Sequence, residues 1–80
     1  MKEGLLWFDN NPKLSVPDKV GRAAARYRAK FGCQPTTCYL NIADFDGRTE
    51  FVGEIRLQPA LNIQRNHFWI GIENRVLRAA

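Results

Sequence analysis

Ser15-Val16-Pro17-Asp18-Lys19-Val20-Gly21-Arg22-Ala23-Ala24-Ala25-Arg26-Tyr27-Arg28-Ala29-Lys30-Phe31-Gly32 is the stretch that decides the fold. It carries a start signal, a period and a stop signal. Ser15 is an N-cap residue, and Pro17 falls in the first turn, where a helix needs no N–H donor. Asp18 completes the cap and complements the positive end of the helix dipole. Val16, Val20, Ala23, Ala24, Tyr27 and Phe31 recur at helical spacing and form one apolar face. Gly32 is placed to take the left-handed conformation that ends helices, and Pro35 blocks continuation. The spacing predicts a helix over Val16–Phe31 with that face turned to the core.

Working outward, the flanking segments read as strands. Leu5-Leu6-Trp7-Phe8 is a short apolar run closed by Asp9-Asn10-Asn11-Pro12, a turn composition. Residues 36 to 43 alternate, with Cys38, Leu40 and Ile42 on one side and Thr37, Tyr39 and Asn41 on the other. Asp44-Phe45-Asp46-Gly47 reads as a turn, with Asp-Gly as its signal. Phe51 to Gln58 alternates again and predicts a single strand, with Phe51, Ile55 and Leu57 inward and Pro59 as its stop. His67 to Glu73 predicts the last strand, with Phe68, Ile70 and Ile72 inward.

The expected order is β-α-β-β-β, an α+β domain with a four-stranded mixed sheet and one helix packed on one face. The first unit is a crossover that sets two strands parallel. The last three strands can be antiparallel. Eighty residues allow one domain, 1–80, with 74–80 as a short basic tail prone to fraying. This length excludes a dinucleotide-binding fold and a repeat array. Hydrophobic content of 45% and charged content of 25% argue against disorder along the whole chain. No apolar run reaches the roughly 20 residues of a spanning helix, and the N-terminal run is too short for a signal peptide. The reading is therefore cytoplasmic, with no membrane partner.

Two cysteines, Cys33 and Cys38, are too few for a disulfide framework and are expected to be free thiols. A zinc site needs two further ligands, and His67 is the only histidine. No cofactor is expected. Glycine-rich phosphate loops and hydrolase or metalloprotease motifs are absent. Cys38 and His67 fall on opposite strand faces, which argues against a thiol–imidazole pair.

Three surfaces remain as candidates. One helix covers one face of a sheet, so the second face is available to a partner. Tyr39, Arg56, His67 and Trp69 fall on it, together with Asn41, Val52 and Glu54, and Phe45 adds aromatic surface nearby. Aromatic residues and arginine are favoured anchors of protein interfaces. The expected partner is a second copy of the chain or another protein. The tail, through Val76-Leu77, is a further candidate to cover Trp69.

The second surface is basic. The helix holds Lys19, Arg22, Arg26, Arg28 and Lys30 against Asp18 alone, while the rest of the chain balances seven bases with seven acids. Lys19, Arg22, Arg26 and Lys30 form one stripe, suited to tracking phosphates in a nucleic acid. A solvated helix face explains the same residues. Beside this stripe, Gly21, Ala25 and Ala29 form a row of small residues suited to close packing. The third surface is a set of carboxylates. Asp9 ends the first strand, and Asp44 and Asp46 follow the second. Parallel strands bring these ends to one edge, where carboxylates can hold a magnesium ion for phosphodiester chemistry. Turn chemistry explains the same aspartates without a metal.

The stretch from Trp7 to Pro12, the helix from Asp18 through Ala23-Ala24-Ala25-Arg26-Tyr27 to Gly32 and Pro35, and the ending His67-Phe68-Trp69-Ile70-Gly71-Ile72-Glu73 resemble small bacterial proteins of unknown function. The resemblance implies a stand-alone bacterial domain and no particular activity.

Overall fold

The computed structural model describes residues 4–73. The expected tail at 74–80, with Val76-Leu77, lies outside them. Helix α1 spans Val16–Phe31 and lies between strands β1 (Leu5–Phe8) and β2 (Thr37–Asn41). Strands β3 (Phe51–Val52), β4 (Ile55–Ala60) and β5 (His67–Gly71) follow. They form one mixed five-stranded sheet in the order β1-β5-β2-β4-β3. Among the described residues the class is α+β with a single helix, as expected, and the strand count is five rather than four.

Local signals set the helix. The Ser15 hydroxyl accepts from the Asp18 N–H at 3.3 Å. Gly32 adopts φ 76° and donates its N–H to the Arg28 carbonyl at 2.8 Å. That conformation is open to glycine at no steric cost. Val20, Ala23, Ala24 and Tyr27 are buried, and Val16 packs at the rim of the same core. Phe31 is exposed but touches the Tyr27 ring at 4.5 Å between centroids.

The extra strand comes from a turn at Gly53-Glu54. The segment 51–58 is a hairpin, with Phe51 opposite Arg56 and Val52 opposite Ile55. Gly53 takes φ 61°, which the turn requires. Across this turn the faces exchange relative to a single strand. Val52 packs on the core and Phe51 stands exposed on the other face, the reverse of the expectation. Pro59 does not stop β4, which runs to Ala60. The Leu57 N–H donates to the Glu50 carbonyl at 2.8 Å, so odd-numbered residues of β4 bond toward β3. Pro59 therefore has its protonless nitrogen on the edge side, where β3 has already ended.

The crossover also differs in detail. β1 and β2 are parallel in direction, but β5 lies between them and is antiparallel to both. β4 runs parallel to β2, with Cys38 opposite Leu57. The antiparallel arrangement open to those two strands is thus not the one adopted. The reason is that the connection after β2 carries the chain past the β4 position to the far edge. The β3–β4 hairpin then returns beside β2.

Core residues from the helix meet Cys38, Leu40, Ile55, Leu57, Phe68 and Ile70 from the sheet. Leu5, Trp7, Val52 and Phe45 pack around that centre. Phe45 thus belongs to the helix side rather than the open face. Ile72, expected inward, lies beyond β5 and is exposed.

Two glycines give opposite predictions. A Cβ on Gly4 would lie 2.8 Å from the Ile70 carbonyl oxygen and 3.1 Å from the Trp69 ring. Gly4→Ala should destabilise by about 1–3 kcal/mol, the usual cost of overpacking. A Cβ on Gly21 meets nothing within 4 Å. Gly21→Ala should stabilise by about 1 kcal/mol through helix propensity. Denaturant unfolding of both variants measures the two shifts.

Candidate functional site: the uncovered face of the sheet

Strand register assigns each residue to a face. Opposed residues in neighbouring strands share a side, so Leu6 and Trp69, Phe8 and His67, and Tyr39 and Trp69 are neighbours on one face. Arg56 joins that face through its pairing with Thr37, and Phe51 joins through Arg56. Tyr39, Arg56, His67 and Trp69 therefore share the face assigned to them from sequence. Val52 does not, and Glu54 lies in the Gly53-Glu54 turn.

The same register adds Leu6, Phe8 and Phe51. They are 55%, 54% and 55% exposed, so large apolar side chains stand in water on this face. Sequence reading missed them for separate reasons. Leu5-Leu6-Trp7-Phe8 is apolar throughout, and such a run does not reveal which side is covered. Phe51 was displaced by the hidden turn.

The register also puts polar side chains on this face, namely Thr37, which is buried, and Asn41, Gln58, Arg56 and His67 beside Tyr39. The Tyr39 hydroxyl donates to Glu73 Oε1 at 2.8 Å. The His67 ring packs on Phe8 at 4.9 Å between centroids, and its Nδ1 lies 2.9 Å from the Arg65 carbonyl. Asn41 Nδ2 donates to the Ile63 carbonyl at 2.7 Å, which pins the 61–66 loop to this side. Two shallow clefts flank the pinned loop. One, of about 320 Å³, is bounded by Leu6, Ile63 and His67; the other, of about 270 Å³, by Tyr39, Ile63 and Trp69. Arg56 is exposed and is the one strong cation among the strand residues of the face, while Arg65 in the pinned loop pairs with Asp44.

The basic helix stripe is narrower than the sequence suggests. Arg22, Arg26 and Lys30 are exposed, but Lys19 is 8% exposed and drops out of it. Lys30 places its ammonium 5.5 Å from the Phe31 ring centroid, and Arg28 donates to Gln34 Oε1 at 3.0 Å. Gly21, Ala25 and Ala29 are all exposed, so no part of the described chain packs on the small-residue row.

The aspartates serve their own turns. Asp9 Oδ1 accepts from the Asn11 N–H at 3.0 Å. Asp44 accepts from Arg65 Nε at 2.7 Å and from the Asn66 N–H at 2.8 Å, tying the end of β2 to the start of β5. Asp46 accepts the Thr49 and Arg48 N–H groups, each at 2.8 Å, and the Thr49 hydroxyl at 2.9 Å. These bonds favour the carboxylate and lower the Asp46 pKa to about 2, with the Thr49 N–H contributing most. Among the described residues, no group of three or more His, Cys, Asp or Glu could hold a metal ion. Asp9, Asp44 and Asp46 share a sheet edge without converging.

Cys38 points into the core and His67 to the open face, so the two do not meet. Burial pushes the Cys38 thiol up to about 12, while Cys33 is exposed. Among the described residues, no helix is long and apolar enough to cross a membrane. Comparison with protein-family models, curated proteins and solved structures gives no match.

Two predictions test this description. With a thiol reagent at pH 8, Cys33 should react at once and Cys38 only as the protein unfolds. Equal fast reaction of both would contradict the buried position of Cys38. For Asp46 the folded pKa is depressed, so its contribution to stability is complete above the ordinary aspartate range. That contribution is lost as pH falls toward about 2. A carboxyl NMR titration of Asp46 should show a midpoint near that value. A midpoint in the ordinary aspartate range would mean that the 46–49 turn is not held.

Proposed function

We propose that this chain is a small non-catalytic association module of the cytoplasm that meets a protein surface with the uncovered face of its sheet. The observation that carries this reading is the exposure of Leu6 and Phe8 beside His67 and Trp69, with Tyr39 next to Trp69. Apolar and aromatic side chains gathered on one face gain from leaving water, and contiguous patches of this kind commonly mark interaction sites. The chemistry fits protein better than phosphate. Among the strand residues of the face, Arg56 is the only strong cation; Arg65 in the neighbouring loop is neutralised by Asp44, and Glu73 stands at the margin against Tyr39. Base stacking on aromatics is ordinarily combined with a positive groove that tracks the backbone.

The opposing reading is salt-dependent nucleic-acid binding by the helix, which now rests on Arg22, Arg26 and Lys30. Light scattering at two salt concentrations, with and without a short single-stranded oligonucleotide, separates them. The association reading expects a complex that survives high salt and ignores the oligonucleotide. Phe8→Lys should weaken that complex about tenfold or more, because it places a charge in the apolar patch. A monomer that binds the oligonucleotide at low salt, releases it at high salt and loses it on Arg22→Glu with Arg26→Glu would overturn the association reading.

A further inference from the structure

The two edges of the sheet are β1 and β3, and they are protected very differently. β3 has two residues, and both Val52 and the preceding Glu50 bond toward β4. Only Phe51 turns its backbone groups outward there. Where β4 outlasts β3, Pro59 supplies no donor. Short length and proline are standard protections of an edge.

β1 has neither. The Asp9 N–H donates to the Asn66 carbonyl at 2.9 Å, continuing the β1–β5 register by one step. In an antiparallel ladder alternate residues bond to the same neighbour. Leu5, Trp7 and Asp9 therefore bond toward β5, and Leu6 and Phe8 turn their N–H and C=O groups away from the sheet. No described residue pairs with them. Leu5–Phe8 contains no charge, proline or glycine. An uncharged apolar edge strand is a template for another strand.

We propose that a second copy of this chain pairs antiparallel along the free edge of β1, across a two-fold axis at Trp7, so that the two sheets become one. The proposal rests on the reading of the chain as an association module and fixes where its copies meet, at an edge rather than face to face. A two-fold axis makes a strand its own complement. With the axis at Trp7, Leu6 of one copy opposes Phe8 of the other. Both outward-facing residues then exchange N–H and C=O bonds. Leu6 and Phe8 share a face, so the opposed side chains are apolar on apolar. Moving the axis to Leu6 sets Phe8 against Gly4 and loses that contact. Slipping by one residue opposes core-facing with open-facing side chains. Each copy carries a formal charge of +4, so salt screens repulsion between copies and the pair holds or tightens as salt rises.

The test uses the full chain carrying Cys33→Ser, with Leu6→Cys in one preparation and Phe8→Cys in another. Opposed Cα atoms of such a pair lie about 5.5 Å apart, within disulfide reach. Like positions sit on the longer diagonal. The mixture should cross-link on mild oxidation, and neither variant alone should. Without the cysteine changes, Leu6→Lys should weaken the dimer about tenfold or more by charging the edge. Phe51→Lys and Arg56→Glu, on the same face at the far side of the sheet, should leave it within about twofold. A dimer lost on Phe51→Lys or Arg56→Glu and kept in Leu6→Lys would overturn the edge pairing while preserving association through the face. A monomer at every concentration, with no cross-link in the mixture, would overturn the pairing and leave the face to a different protein.

Discussion

A single helix must cover a five-stranded sheet, and the rest of the structure follows from that mismatch. A helix with its side chains is about 10–12 Å wide. Five strands at about 4.8 Å spacing span roughly 19 Å. One helix therefore reaches about half of one face. Val20, Ala23, Ala24 and Tyr27 occupy the middle, over Cys38, Leu40, Phe68 and Ile70. Alanines at two of those helix positions let the backbone approach the sheet closely. Phe45 and Val52 fill in on the β3–β4 side, and Leu5 and Trp7 on the β1 side. No helix is left among the described residues for the other face.

The strand order suits this shortage. β2 and β5 lie inside the sheet and contribute Cys38, Leu40, Phe68 and Ile70, all almost completely buried. Weaker elements lie at the margins, where coverage is thin. Long-range ties hold the centre at its ends. Asp44 anchors Arg65 and the Asn66 N–H at one end of β2 and β5. The Thr36 hydroxyl accepts from the Glu73 N–H at the other, at 3.0 Å. Aspartates that resemble a metal set in sequence are thus accounted for as parts of the sheet's own boundary.

What the sequence made legible depended on whether the signal was local. Helix α1 could be bounded because Ser15, Pro17 and Gly32 act within a few residues of the ends they define. The alternation at Thr37–Asn41 and His67–Gly71 correctly divides core from open face, because each strand is regular. Phe51–Gln58 misleads because Gly53-Glu54 turns the chain within a pattern that still alternates. The turn exchanges faces, so Phe51 emerges where Val52 was expected. Pro59 misleads for a different reason. Proline stops a strand only where its missing donor matters, and an edge-facing nitrogen on β4 matters little. The parallel pairing of β2 with β4, and β5 between β1 and β2, come from contacts distant in sequence. Of the candidate site, Tyr39, Arg56, His67 and Trp69 were accessible from alternation alone. Leu6 and Phe8 needed the register with β5.

The placement of charge separates the two sides of the sheet as sharply as the placement of carbon does. Arg22, Arg26 and Lys30 stand on the helix, while the opposite face presents rings, aliphatic groups and the uncharged Thr37, Asn41 and Gln58 around one arginine. A partner that covers the open face buries little charge, so its desolvation cost is low and its gain comes from apolar area. Contact at the β1 edge follows different rules. It satisfies backbone groups that water otherwise serves, and it covers neither face. Pairing there would extend the apolar face beyond one chain and set two basic helices on the same side. The apolar strip would then continue from Trp69 through Leu6 to Phe8 of the second copy. A shallow patch on one small domain would become a longer surface, better matched to the roughly 800 Å² per partner of a stable interface. In that arrangement edge and face are complementary: the edge sets how many copies act together, and the face sets what they hold.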